Sequence, residues 1–198
     1  MQDLPFSQAS ENNKQVILEI LERHLKGGDQ VLELAGGTGQ HAVHFASSLP
    51  TLHWQSSDIP SNVDSLNLRI AAAELANLPC AITIDVNHFP WHSERPTAIF
   101  SANSLHIMSA DSVENFFEGV AKVLQSDGTL IVYGPFKYAG EFTTESNEDF
   151  DRWLKDKNPE SGIRDFEWIN TLAAEASLTL IEDNAMPANN QLLVWKKK

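Results

Sequence analysis

Three glycines within four residues follow a short apolar segment near the start of the chain. The segment 30–34 (QVLEL) has the length and apolar content of a buried strand, and Gly36, Gly37 and Gly39 come directly after it. Glycines between a strand and a helix let the backbone approach a ligand closely. The N-terminus of the following helix adds free N–H groups and partial positive charge, which favour an anion. This turn therefore predicts a site for a ligand that carries a carboxylate or a phosphate.

The residue that narrows the choice of ligand is Glu33. Residues 37–42 also fit G-x-G-x-x-A, a loose dinucleotide fingerprint, and Asp58 suits the ribose hydroxyls of either ligand class. A carboxylate at Glu33 would repel a pyrophosphate but would suit the ammonium group of an amino-acid moiety. The sequence thus favours a nucleotide with an amino-acid moiety, and a nicotinamide dinucleotide is the alternative.

The elements that must position these residues follow from the apolar periodicity. Strands alternate with helices over the first two thirds of the chain, which is typical of an α/β fold with a mostly parallel sheet and helices on both faces. The last two strands are joined by too few residues for a parallel crossover, so the C-terminal strand is expected to be antiparallel. Strands are predicted at 30–34, 52–57, 81–84, 98–102, 129–133, 178–182 and 191–195, and helices at 11–26, 41–48, 61–75, 113–124, 147–157 and 166–176, with Ser61 and Asp64 as a capping box.

The segment Glu33–Gly39 (ELAGGTG) resembles the first motif of class I S-adenosylmethionine-dependent methyltransferases. Ala35 departs from that motif, because it stands where the family usually has its first glycine and its Cβ must be accommodated. The resemblance implies a Rossmann-like fold with a seven-stranded sheet, S-adenosyl-L-methionine as cofactor and S-adenosyl-L-homocysteine as product. It implies cofactor contacts from Glu33, Ala35, Gly36, Gly37 and Gly39 in the turn, Asp58 and Ile59 after the second strand, Asp85 and Val86 after the third, and Asn103 after the fourth.

Longer strings resemble a bacterial and animal methyltransferase-like family of unknown function. They cover nearly the whole chain and are specific for the family, but they imply no methyl acceptor. The strings are VLELAGGTGQHAVHFA, LHWQSSDI, LIVYGPF, TTESNEDFD, GIRD and AMPANN.

Two residues are candidates for a general base, which is needed only where the acceptor must lose a proton. His106 lies three residues after Asn103 and has a suitable pKa range, and Tyr133 ends the fifth strand. For both, a structural role in the core is the alternative. Ligands of open α/β sheets bind over the carboxyl ends of the strands, and aromatic groups with amides suit a neutral, partly flat small molecule. The expected acceptor contacts are Tyr133, Phe136, Asn147, Asn189 and Asn190.

Length and composition predict one domain over residues 1–198, with an N-terminal helical cap at 1–28 and an insertion at 134–165 that shapes the acceptor pocket. The net charge of −13 disfavours nucleic acid as a partner. No apolar run is long enough to cross a membrane, no signal peptide is recognisable, and the single Cys80 fits a cytoplasmic protein. No metal site is expected, because the histidines lack a Glu-x-x-His pattern or a cysteine pair. The oligomeric state is not predictable.

Three functions remain open at this point. The first is transfer of a methyl group from S-adenosylmethionine to an unidentified small molecule. The second is a pseudoenzyme or scaffold that binds S-adenosylmethionine without transferring its methyl group. The third is a nicotinamide-dependent oxidoreductase that uses the same glycine turn.

Overall fold

The computed structural model describes residues 4–198, so the first three residues of the predicted cap lie outside the described part. Strands and helices alternate as far as β5, except that β3 is followed directly by β4, and a second small group of strands comes after β5. In chain order the elements are α1 (Gln8–His24), β1 (Gln30–Leu34), α2 (Gln40–Ser48), β2 (His53–Asp58), α3 (Pro60–Ala73), β3 (Ile82–Thr83), β4 (Ala98–Ala102), α4 (Ala110–Val123), β5 (Thr129–Gly134), β6 (Phe136–Tyr138), β7 (Glu141–Phe142), α5 (Glu145–Lys157), β8 (Arg164–Asp165), α6 (Phe166–Glu175), β9 (Leu178–Met186), a 3-10 turn (Pro187–Asn189) and β10 (Asn190–Lys197).

The main sheet has seven strands in the order β3-β2-β1-β4-β5-β10-β9. The first five strands in this order, β3-β2-β1-β4-β5, pair in parallel with their neighbours. Strand β10 pairs antiparallel with both β5 and β9. The predicted α/β class with an antiparallel C-terminal strand is therefore confirmed. The pairing of Leu192 with Tyr133 on one side and with Asn184 on the other places β10 inside the sheet rather than at its edge.

Helices cover both faces of this sheet, as predicted. Because neighbouring side chains of a strand point to opposite faces, each strand contributes to two separate apolar layers. Leu32 and Leu34 of β1 pack with residues of α4 and α6 in one layer. Val31 packs in the other layer, which contains residues of α1, α2 and α3.

Two local predictions were wrong or incomplete. Helix α3 begins at Pro60 and its N-cap residue is Ile59 without a side-chain cap, so the capping box at Ser61 is not formed. The Asp58 carboxylate instead accepts the Ile59 N–H. The stretch 134–165 was predicted as an insertion, and it contains a second sheet, β7-β6-β8, that was not foreseen. Its strands have two or three residues, too few to show a period of two.

In the described part of the chain, no helix has both the length and the apolar character needed to span a bilayer.

Candidate functional site

The turn after β1 follows a backbone path that favours glycine at three points. Ala35, Gly37 and Gly39 all have left-handed φ angles, of 59°, 57° and 75°. Ala35 thus adopts a left-handed conformation that glycine would adopt more easily, at a cost of about 1–2 kcal/mol. Gly36 is required for a different reason, since a Cβ there would lie 2.3 Å from Ser56 Oγ.

Glu33 lies directly beneath this turn and is about 2% exposed. Its Oε2 accepts hydrogen bonds from Ser56 Oγ at 2.6 Å and from Trp54 Nε1 at 3.1 Å. Burial raises the pKa of the Glu33 carboxyl to about 7, although these two hydrogen bonds act in the opposite direction. A cation held next to Glu33 would favour its ionised form, so the carboxyl suits an ammonium group.

Asp58 connects the end of β2 to the glycine turn. Its Oδ2 accepts the Gly37 N–H at 2.7 Å, and its Oδ1 accepts the Ile59 N–H at 2.8 Å and Asn62 Nδ2 at 3.0 Å. The side chain is almost fully buried. The second strand therefore fixes the conformation of the turn that follows the first.

A cleft of about 110 Å³ opens beside the turn at the carboxyl ends of β1 to β4. Five of the predicted cofactor residues meet there. The cleft is lined by Ala35, Asp58, Ile59, Asp85 and Val86 from that prediction, and by Leu34, Ile84, Asn87, Met108 and Ser112, which sequence reasoning missed.

Asp85 lies in this cleft but is partly engaged with its own loop. Its Oδ1 accepts the Asn87 N–H at 2.9 Å, and its Oδ2 lies 3.0 Å from Nδ1 of the exposed His88. Met108 and Ser112 come from beyond β4 and were missed because no local pattern marks them. Only the fold brings the start of α4 to the end of β1.

The residues present fit an adenosine-type group with an amino-acid moiety. Two carboxylates, Asp58 and Asp85, provide acceptors for hydroxyl or amino groups, and Ile59, Val86 and Met108 provide apolar walls for a flat ring. A Cβ at Gly37 would meet no protein atom within 4 Å, so the turn is open at that point. The roles of the individual side chains toward a cofactor stay predictions.

Asn103 begins the loop after β4 with a left-handed φ of 55°, which asparagine tolerates better than most residues. Its N–H donates to the Tyr133 carbonyl at 2.8 Å. This bond joins the loop that carries His106 to the end of β5.

His106 is buried in that loop and is about 5% exposed. Burial first, and the nearby Arg164 charge second, lower the pKa of the imidazole to about 4, so the ring is neutral near pH 7. The ring meets Phe150 edge-on, with centroids 5.4 Å apart. The imidazole is therefore in its unprotonated form, and its role as a general base stays a prediction.

Tyr133 is the residue before the last of β5, and it packs in the apolar layer that contains residues of α1, α2 and α3. Burial raises the pKa of its phenol, while hydrogen bonding from the Asn13 and Asn190 side chains acts in the opposite direction. Asn13 Oδ1 also lies 2.6 Å from Nε2 of His41, whose pKa is lowered by burial to about 4. Asn13 was missed, although it lies four residues before Ile17 on the apolar stripe of α1, where a polar residue is unusual.

The three asparagines predicted to contact the acceptor use their amide nitrogens within the protein. Asn147 Nδ2 donates to Thr143 Oγ1 at 2.8 Å and to the Asn189 carbonyl at 2.9 Å, which joins α5 to the turn before β10. Asn189 Nδ2 donates to Ser146 Oγ, and Asn190 Nδ2 donates to carbonyls of its own turn. Any contact with an acceptor would therefore fall to their side-chain oxygens.

Phe136 differs from its predicted place in the pocket wall. It is about 1% exposed and packs in the apolar core, so it offers an acceptor almost no surface. The aromatic ring that lies next to His106 is instead that of Phe150.

Solved structures of methyltransferases are similar to this chain over nearly its whole length. An O-methyltransferase family protein from Burkholderia thailandensis matches 96% of this chain with a TM-score of 0.78 and 18% identity, and 57% of that protein is covered. Human N-acetylserotonin methyltransferase, in complex with S-adenosylmethionine, matches 96% with a TM-score of 0.81 and 15% identity, and 53% of it is covered. An O-methyltransferase family 2 protein from Planctomyces limnophilus, in complex with apigenin, matches 94% with a TM-score of 0.77 and 15% identity, and 62% of it is covered.

These likenesses show that the chain has the fold of these methyltransferases, and that it spans a little more than half of their length. A family model described as a protein of unknown function, DUF938, matches residues 4–197. Because this match covers almost every residue, the chain belongs to the DUF938 family.

Proposed function

We propose that this protein transfers a methyl group from S-adenosylmethionine to a small-molecule acceptor. The observation that carries the proposal is the arrangement of two buried carboxylates around one glycine turn. Glu33 lies beneath the turn, and Asp58 holds its Gly37 N–H at 2.7 Å. A pyrophosphate at the same turn would lie next to the Glu33 carboxylate, which disfavours a dinucleotide.

Each part of the cleft has a distinct task in this proposal. Glu33 faces the ammonium group, Asp58 accepts from the ribose hydroxyls, and Asp85 with the Val86 backbone faces the adenine amino group. Ile59 contacts the adenine ring, and Asn103, in the loop after β4, is a further cofactor contact. When bound, the cofactor supplies a methyl group on a positively charged sulfur. The protein's contribution is to orient the acceptor and exclude water. Proximity alone can lower the activation barrier by about 7–11 kcal/mol.

His106 is the group we assign to remove a proton from the acceptor. Its ring is neutral near pH 7 and is carried by the loop that begins at Asn103. Tyr133 is the other residue predicted as a base, but burial raises the pKa of its phenol and keeps it protonated, so in this proposal it donates a hydrogen bond to the acceptor instead. A neutral, partly flat acceptor is supported by the aromatic and amide groups near this end of the sheet, and apigenin is such a molecule in the Planctomyces limnophilus protein.

The net charge of −13 and the single cysteine support a cytoplasmic protein that acts on small molecules rather than on nucleic acid.

Calorimetry with S-adenosylhomocysteine tests the cofactor assignment. We expect binding by the native protein, an affinity at least roughly tenfold weaker for Glu33→Gln, and an unchanged affinity for Asp64→Asn, an exposed acid on α3. Tighter binding of a nicotinamide dinucleotide than of S-adenosylhomocysteine would instead support the oxidoreductase.

A screen of cell extract for molecules that gain labelled methyl from the cofactor tests the transfer itself. A labelled product that requires the protein would identify the acceptor class. Binding of S-adenosylhomocysteine without any labelled product would favour a pseudoenzyme or scaffold.

A further inference from the structure

Four successive backbone carbonyls around His106 accept hydrogen bonds from one short segment, Ser161–Arg164. Arg164 Nε donates to the Leu105 carbonyl at 3.1 Å, and the Gly162 N–H donates to the His106 carbonyl at 2.9 Å. Ser161 Oγ donates to the Ile107 carbonyl at 2.8 Å, and Arg164 Nη2 donates to the Met108 carbonyl. A segment distant in sequence thus holds the backbone on both sides of the His106 Cα.

The His106 loop also has hydrogen bonds of its own. Within it, the N–H groups of Ile107 and Met108 donate to the Ser104 carbonyl at 2.9 and 3.2 Å, which closes a single turn. Such a turn fixes its own shape but not its orientation relative to the sheet. At its start the loop is joined to the sheet by the Asn103 N–H bond to the Tyr133 carbonyl and by Ser104 Oγ, 2.6 Å from Ser101 Oγ of β4. The bonds from Ser161–Arg164 fix the orientation of the remainder, from Leu105 to Met108.

The segment is in turn anchored from α5. Asp151, about 3% exposed, accepts the Ile163 N–H on Oδ1 at 2.7 Å and Lys155 Nζ on Oδ2 at 2.7 Å. A Cβ at Gly162 would lie 3.0 Å from Asp151 Oδ1, so only glycine fits there without a shift. Pairing of Arg164 with Phe136 adds the small sheet as a further support.

The same arrangement places one positive charge near the imidazole. Arg164 on β8 is the charged group that acts on His106, and the acids that act on Arg164 are Asp151 on α5 and Glu160 just before the segment. The guanidinium therefore has two functions: it donates to carbonyls on either side of His106, and it disfavours a second positive charge on the ring.

We infer that Ser161 and Arg164 are positioning residues for His106. They hold the loop after β4 so that the His106 ring stays in contact with Phe150 of α5. This inference rests on the proposed function for its catalytic meaning, but the geometry it describes is measurable without cofactor or acceptor. It gives a physical role to the strings GIRD and TTESNEDFD, which the cofactor cleft does not use.

The experiment is an NMR titration of the His106 ring in four proteins: native, Arg164→Gln, Arg164→Lys and Ser161→Ala. Arg164→Gln should raise the pKa of His106 toward its ordinary value and should change the ring shifts that arise from Phe150. Arg164→Lys retains the charge but cannot reach both carbonyls, so the pKa should stay low while the ring shifts change. Arg152→Gln on the exposed side of α5 is the control and should leave both unchanged.

Unchanged His106 ring shifts and pKa in a folded Arg164→Gln protein would overturn the inference. If that variant does not fold, Ser161→Ala and Arg164→Lys replace it, since each keeps most of the contacts. Unchanged His106 ring shifts in both would then overturn the inference. Once an acceptor is known, Arg164→Lys should lower kcat by roughly 10- to 100-fold with little change in the KM for S-adenosylmethionine. Failure of the proposed function would appear separately, as absence of S-adenosylhomocysteine binding by the native protein.

Discussion

The carboxylate of Asp58 accepts the backbone N–H of Gly37 at 2.7 Å, so the end of β2 holds the turn that follows β1. The same carboxylate accepts the N–H of Ile59, the N-cap residue of α3. One buried side chain thus fixes two loops that together form a wall of the candidate cofactor cleft.

Replacement of Asp58 by asparagine should destabilise the protein and weaken cofactor binding. Three donors face the two carboxylate oxygens, and the asparagine NH₂ group would oppose at least one of them. We expect a loss of about 1–3 kcal/mol in the free energy of unfolding. Urea unfolding measures this loss, and Asp64→Asn, at an exposed acid on α3, is the control. Equal stability of the two variants would contradict the structural role of Asp58.

Stability should fall with rising pH in a window set by Glu33. Burial raises the pKa of Glu33 in the folded protein to about 7 from the ordinary 4.5. Between these values the folded protein binds more protons than the unfolded chain, so the free energy of unfolding decreases as pH rises, by at most about 3 kcal/mol.

Glu33→Gln removes this titration and isolates its contribution. The difference in unfolding free energy between native protein and variant should therefore shift in favour of the variant from pH 5 to pH 8. The buried histidines titrate in both proteins and cancel in the comparison. A difference that does not vary with pH would mean that Glu33 has an ordinary pKa.

Ala35 should respond to substitution according to its left-handed backbone. With φ at 59°, Ala35→Gly relieves about 1–2 kcal/mol of strain, of which about 0.4–1 kcal/mol is offset by the greater freedom of the unfolded chain. The variant should be slightly more stable than the native protein. Ala35→Val should be clearly less stable, because a β-branched residue disfavours this region strongly. In chemical unfolding, the free energy of unfolding should be higher than native for Ala35→Gly and lower than native for Ala35→Val.

His106→Ala should separate binding from transfer. S-adenosylhomocysteine affinity should remain close to native, since His106 does not line the cofactor cleft. Turnover of an acceptor that must lose a proton should fall by roughly 10²- to 10⁴-fold. Tyr133→Phe is the companion variant and tests the second candidate. Full turnover by His106→Ala would remove histidine from the role of base.

The fold was predictable because its signals are local. The strand at 30–34, the glycines after it and the helix that follows are marked within a dozen residues, and the short connection before β10 imposes an antiparallel pair. The strands of the small sheet, two or three residues long, carry no such signal, and the start of α3 depended on Asp58 rather than on the nearby Ser61.

The candidate site was predictable only in part. Residues at or just beyond the end of a strand, such as Asp58, Ile59, Asp85 and Val86, were found because parallel strands bring their carboxyl ends to one edge of the sheet. Asn13 and Met108 were not found, because each reaches the site from a helix or loop far along the chain.

By itself the sequence determined the α/β class, the glycine turn and the acids at the strand ends. Only the tertiary structure decided that Asp58 holds Gly37, that Phe136 lies in the core, and that Arg164 holds the loop of His106. The physical reason is the distance along the chain over which each kind of interaction acts. Periodicity and turn chemistry act between neighbours in the chain, whereas these contacts depend on how separate elements pack, and packing is set by the whole core at once.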